Sequence, residues 1–131
     1  MASLYFIDRV FDRFNKVVHS LCLKDPVVFI SLLVVLFLNI FMWVFFVMKI
    51  QPTDAPIPLH YNIYFGVDYI DMWYKVYVLP LFGILVGLIN CFFIYWFYLK
   101  EKLLSYFLAV NTVFVHIFLF MGTYLIIWLN S

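Results

Sequence analysis

The sequence predicts an all-α membrane protein with three transmembrane helices, an N-terminal amphipathic interfacial helix, and an outer loop holding a short extended segment. Three observations carry that prediction. The chain of 131 residues is 68% hydrophobic and only 11% charged, too apolar for a water-soluble domain to cover its surface with polar groups. Three stretches, residues 27–48, 76–99 and 103–129, are free of Asp, Glu, Lys and Arg, and each exceeds the roughly 20 helical residues that cross a hydrocarbon core. Basic residues also gather on one side of these stretches. The whole forms a single membrane domain.

The first span starts cleanly. Asp25 offers a side-chain oxygen as an N-cap, and Pro26 fits the first turn, where its missing N–H is no loss. Lys49 and Pro52 mark its end. Only Lys100, Glu101 and Lys102 separate the second and third spans, so these two form a tight antiparallel hairpin. Cys22 and Cys91 are too few and too unlike in context for a disulfide framework, and read as free thiols.

Arg9, Arg13, Lys16 and Lys24 precede the first span and Lys100 and Lys102 join the last two, whereas the 49–75 loop carries only Lys49 and Lys75 at its margins. The positive-inside rule then places the N-terminus in the cytoplasm of a cell (inner) membrane, with the loop and the C-terminus outside. The first 26 residues lack the apolar core of a cleavable signal, so the first span is expected to act as an uncleaved anchor.

Residues 1–25 have a helical period of their own. Ile7, Val10, Phe11, Phe14, Val17, Val18 and Leu21 recur at steps of three and four, and Asp8, Arg9, Asp12, Arg13, Lys16 and His19 occupy the other side. The preferred reading is a helix lying on the inner membrane surface, its basic residues facing anionic headgroups; docking onto a cytosolic protein is the alternative.

In the outer loop, Pro52, Pro56 and Pro58 forbid a helix, after which Leu59, Tyr61, Ile63 and Phe65 alternate with His60, Asn62 and Tyr64. This pattern predicts a strand over residues 59–65, closed by Gly66. Such a strand needs a partner, either a short second strand near residues 67–70 or another chain. Residues 68–77 are read in preference as a short helix capped by Asp68, with Ile70, Trp73, Tyr74 and Tyr77 on one face at the headgroup boundary. His60, Asp68 and Asp71 are metal-ligating types without a metal-site spacing. The expectation is that His60 and Asn62 bond to loop backbone, Gly66 adopts positive φ, and the aspartates face water.

The run over residues 56–68, with Pro58, His60, Asn62, Gly66 and Asp68 between two spans, resembles the extracytoplasmic loop of small bacterial membrane proteins of unknown function, especially in reduced-genome bacteria. More distantly, it is similar to the membrane domain found in the immunity protein of the sporulation-delay toxin system, where a Pro-x-His-aromatic-Asn/Asp…Gly pattern follows the first span. The resemblance covers residues 56–81 and implies a topology, not a reaction.

Within the spans, Asn39, Asn90 and His116 lie about 18, 14 and 20 Å from the inner ends at 1.5 Å per residue, all near the midplane. Pro80, Gly83, Gly87 and Asn90 share one small-residue face of the second span, with a GxxxG pair in it, and Ser105, Ala109, Thr112, His116 and Thr123 share one of the third. The expected contact joins these faces through an Asn90–His116 hydrogen bond, with Asn39 closing the cluster. His116 is read as structural glue in preference to a proton relay, haem ligand or quinone contact, since no carboxylate or second histidine accompanies it in a span.

No nucleotide-binding glycine loop and no intramembrane protease pattern is present, so neither an enzyme nor a cofactor is expected. A net charge of +1 gives no field for nucleic acid. The expected partners are the lipid bilayer and other membrane protein subunits or the chain itself. Two roles remain: a structural or accessory subunit of a membrane assembly, using its GxxxG face, strand and amphipathic helix, or a stand-alone ligand-binding, sensing or immunity-type protein acting through the outer loop.

Overall fold

A computed structural model describes residues 21–131, so all but the end of the amphipathic helix expected over residues 1–25 lies outside the described residues. A helical turn, Leu21–Lys24, leads into helix α1 (Pro26–Lys49). A hairpin of β1 (Ile57–Asn62) and β2 (Gly66–Asp71) follows, then a 3-10 turn (Trp73–Tyr77), α2 (Val78–Tyr98) and α3 (Lys102–Leu129). Among the described residues three helices are long and apolar enough to cross a membrane, which is the architecture of a multi-pass membrane protein. Their outward faces bare Phe29, Ile30, Phe37, Leu88, Phe107 and Phe118, each more than half exposed, a surface suited to lipid and not to water.

Helix α3 is the axis of the bundle. It packs along both α1 and α2, whereas α1 and α2 touch each other sparingly. The buried residues of α1 (Val28, Ser31, Val35, Asn39, Met42, Phe46) recur every three or four positions and make one stripe. Those of α3 (Ser105, Ala109, Thr112, His116, Thr123, Ile126) do the same with smaller and more polar side chains, which admit a neighbour on each side. Apolar packing concentrates at the two ends. Cys22, Val28, Ile94, Tyr98 and Ala109 cluster at the end carrying the tight turn, and Phe46, Ile50, Val76 and Ile126 at the end carrying the hairpin. Between them lies a waist of small and polar groups.

The predicted cap is present and does more than cap. Asp25 Oδ1 accepts from Val27 N–H at 3.0 Å, while Oδ2 accepts from the Tyr98 hydroxyl at 2.8 Å and the Tyr106 hydroxyl and pairs with Lys102 Nζ at 3.1 Å. Asp25 is buried, so one carboxylate ties the start of α1 to the end of α2 and the start of α3. Sequence reading assigned it the cap alone; the missed signal is a pair of tyrosines flanking the tight turn, with Lys102 between them.

The loop supplies one of the two partners expected of the strand and corrects the helix. The strand spans residues 57–62 instead of 59–65 and pairs antiparallel with residues 66–71 of its own chain, the second strand expected near residues 67–70, while the helix preferred over residues 68–77 is replaced by a strand and a 3-10 turn. Gly66, at φ 75°, reverses the chain after Ile63, Tyr64 and Phe65, and a reversal there brings the following residues onto the open edge of β1. That pairing outweighs the local helical pattern. Nothing lies within 4 Å of a Cβ built on Gly66, so its positive φ, not crowding, requires glycine. Asp71, not Asp68, braces the start of the 3-10 turn, accepting from Met72 N–H, the Tyr69 hydroxyl and Lys75 Nζ.

The hydrogen bond from Tyr106, then those from Tyr98, Lys102 and Val27, hold the Asp25 carboxyl well below its usual range against the opposing effect of burial. A carboxyl depressed in the folded state stabilises fully above its unfolded value, about pH 4, and loses that contribution as pH falls through the depressed value. Melting in detergent is therefore expected to fall in acid below pH ~4, with Asp25→Asn melting lower than wild type at neutral pH and losing less in acid. Identical melting of the two chains at pH 7 would contradict the role given to Asp25.

Candidate functional site: the polar waist of the bundle

The tight turn sets the register of α2 against α3. Ser105 Oγ donates to the Ile94 carbonyl at 2.8 Å, Asn90 Nδ2 donates to Thr112 Oγ1 at 2.9 Å, and His116 faces Gly83 and Gly87. His116 thus sits about one helical turn beyond Asn90, and the expected Asn90–His116 hydrogen bond is absent. The two share Thr112 instead: its hydroxyl takes the Asn90 amide and donates to Leu108 O, and its carbonyl bonds His116 Nδ1 at 2.9 Å.

Gly83 is where all three helices meet. A Cβ built there would lie 2.6 Å from Asn39 Nδ2, far inside contact distance, and 3.4 Å from His116 Nε2. Asn39 cannot easily retreat, because Nδ2 donates across to the Pro80 carbonyl at 3.0 Å. Pro80 stands in the first turn of α2, where it costs the helix no hydrogen bond. A Cβ on Gly87 would meet His116 Cε1 and Val35 Cγ1 at 3.8 Å, which is ordinary contact. The GxxxG pair therefore turns toward Asn39 and His116 of its own chain, not toward a separate one. Asn39, Gly83, Gly87 and His116 do come together, and Asn90 lies a turn away.

His116 is fully buried, and its ring is only half satisfied. A carbonyl can only accept, so the contact with Thr112 O assigns the hydrogen to Nδ1 and leaves Nε2 as a bare acceptor. Nε2 has no hydrogen-bond partner among the described residues. An unsatisfied buried acceptor costs about 1–3 kcal/mol.

In the hairpin, Asn62 Oδ1 accepts from Tyr64 N–H at 2.9 Å, as expected of a turn asparagine. His60 does not bond to backbone; its Nδ1 lies 2.6 Å from Asp68 Oδ1 across the two strands. Both side chains are well exposed, so the pair contributes little to stability, about 0–1 kcal/mol. Pro58 anchors the hairpin base, its carbonyl accepting from Asn130 Nδ2 at the end of α3 at 2.8 Å. No group of three or more His, Cys, Asp or Glu is gathered among the described residues.

No known protein family, curated protein or solved structure matches this chain.

The close approach at Gly83 yields a contrast between the two glycines. Gly83→Ala is expected to lower unfolding free energy in detergent by about 1–3 kcal/mol, whereas Gly87→Ala should stay within about 0.5 kcal/mol of wild type. Equal effects at the two positions, measured by reversible unfolding, would contradict the contact of Asn39 with Gly83.

Proposed function

We propose that this chain is a structural or accessory subunit of a membrane assembly, and that the hairpin is the part that meets its partner. One observation carries the reading. Ile63, Tyr64 and Phe65 at the hairpin tip are 82%, 86% and 83% exposed, on a loop whose base is fixed to the bundle. Three adjacent large apolar residues held out from the fold mark an interaction surface, and the two free sheet edges can accept a strand from another chain. The proposed setting is a bacterial cell (inner) membrane. Lys24, Lys100 and Lys102 at the tight-turn end support placing that end and the N-terminus in the cytoplasm, with the hairpin and C-terminus outside.

Purification from native membranes in mild detergent, with Ile63, Tyr64 and Phe65 each replaced by Ser in a parallel sample, tests the assignment. A protein recovered in fixed stoichiometry with wild type and lost from the triple variant is expected. A thiol introduced as Tyr64→Cys should also react with a membrane-impermeant maleimide on intact cells. A monodisperse lone species from both chains would overturn the subunit reading in favour of a stand-alone binding or immunity-type protein, and maleimide labelling only after lysis would reverse the orientation.

A further inference from the structure

Where β1 rests on the end of α3 beside the start of α2, the chain encloses a cavity of about 210 Å³. Leu59 of β1, Leu79 of α2 and Leu125, Ile126 and Trp128 of α3 line it, and among the described residues no Asp, Glu, Lys or Arg does. Its floor is shut where Leu79 approaches Gly122, so closely that a Cβ there would lie 3.2 Å from Leu79 Cδ2. Leu125 and Trp128 are 55% and 64% exposed, so the cavity is open beside them. An apolar cavity of about 150 Å³ is enough to hold a benzene ring, and this one has room for an aromatic side chain. We propose that its occupant is the Phe65 ring of a second copy of this chain, and that two copies pair by seating each hairpin tip in the other's cavity.

The proposal rests on the subunit reading and names the hairpin's partner. Three features select that occupant. The first is a ring with nowhere to go in its own chain: Phe65 is held out from the fold at the tip of an anchored hairpin. Unlike Tyr64 beside it, Phe65 carries no hydroxyl that would need a partner among apolar walls.

The second feature is level. Tyr61 also lines the cavity, and Phe65 follows it by four residues, a reach of at most about 14 Å along the chain. Copies inserted into one bilayer by the same signals share an orientation, so the tip of one copy and the cavity of its neighbour stand at the same height. The third is symmetry. A knob and a hole side by side on one surface can each meet the other across a two-fold axis along the membrane normal, and such an isologous contact closes at two copies. Charge does not oppose it, because Asp68 of the hairpin is paired with His60 and Asp71 with Lys75.

The test uses the full chain in native membranes, expressed as two differently tagged copies, one carrying Phe65→Cys and the other Leu125→Cys, and oxidised with copper phenanthroline. A disulfide joining the two tags is expected. Phe65→Cys paired with Met48→Cys, in the last turn of α1 at the hairpin end, should give none, and neither should Phe65→Cys with only the native Cys22 and Cys91 to meet. Both Phe65 and Leu125 are more than half exposed in the single chain, so neither substitution threatens the fold. Phe65→Ser is expected to weaken self-association in detergent about ten-fold, as loss of a buried aromatic anchor does. Absence of the Phe65–Leu125 cross-link, equal cross-linking to position 48, or self-association untouched by Phe65→Ser would each overturn the proposal. A different protein then recovered in fixed stoichiometry would leave the subunit reading standing, whereas a lone monomer would remove both.

Discussion

Helices in a bilayer gain little by hiding apolar surface from lipid, since lipid tails are as apolar as leucine; small residues and polar groups must decide where they meet. In this chain that decision falls at Gly83. The absent side chain lets α1 bring Asn39 to the Pro80 carbonyl and lets α3 bring His116 to the same place. Because α1 and α2 otherwise touch sparingly, the bundle is two contacts onto α3, with α1 and α2 joined directly at this crossing and through Asp25 and Tyr98 at the tight-turn end. Beside it a groove of about 410 Å³ is lined by Leu36 and Ile40 of α1 and Ile84 and Leu88 of α2.

The two ends solve a different problem. At the tight-turn end a buried carboxylate is satisfied by two hydroxyls, a backbone N–H and an ammonium from three helices, so the polar cost of burying Asp25 becomes a specific lock on their register. At the hairpin end the lock is aromatic and apolar, with Trp43 stacked on Tyr77 at 5.3 Å and Phe46 edge-on to the same ring. Asn130 then ties the hairpin to α3. A loop anchored in this way holds its tip in a fixed place, which suits recognition of a partner.

The spans were legible because their signal, about 20 apolar residues without a charge, is local and strong. The Asp25 cap, the small-residue faces and the positive φ of Gly66 were legible for the same reason: each follows from residue type and spacing within one element. The rest depended on register between elements. Asn90 and His116 each lie near the midplane, yet a shift of one turn separates a hydrogen bond from a shared neighbour, and sequence depth does not resolve that. The strand over residues 66–71 was legible only as the lesser of two readings, because a helical pattern overlies the same residues and prevails only if β1 finds a partner elsewhere. The Asp25–Tyr98–Tyr106–Lys102 cluster joins residues more than 70 positions apart, a distance over which spacing carries no information.

The central claim, that Asn39 of α1 is seated against Gly83 of α2, is tested most directly by a double-mutant cycle. Reversible unfolding in detergent would be measured for wild type, Asn39→Ala, Gly83→Ala and the double variant. Removing the Asn39 amide removes the atom that an alanine at position 83 would strike, so the account predicts strong non-additivity: Gly83→Ala costs markedly less in the Asn39→Ala background. Additive effects, with Gly83→Ala equally costly in both backgrounds, would contradict it.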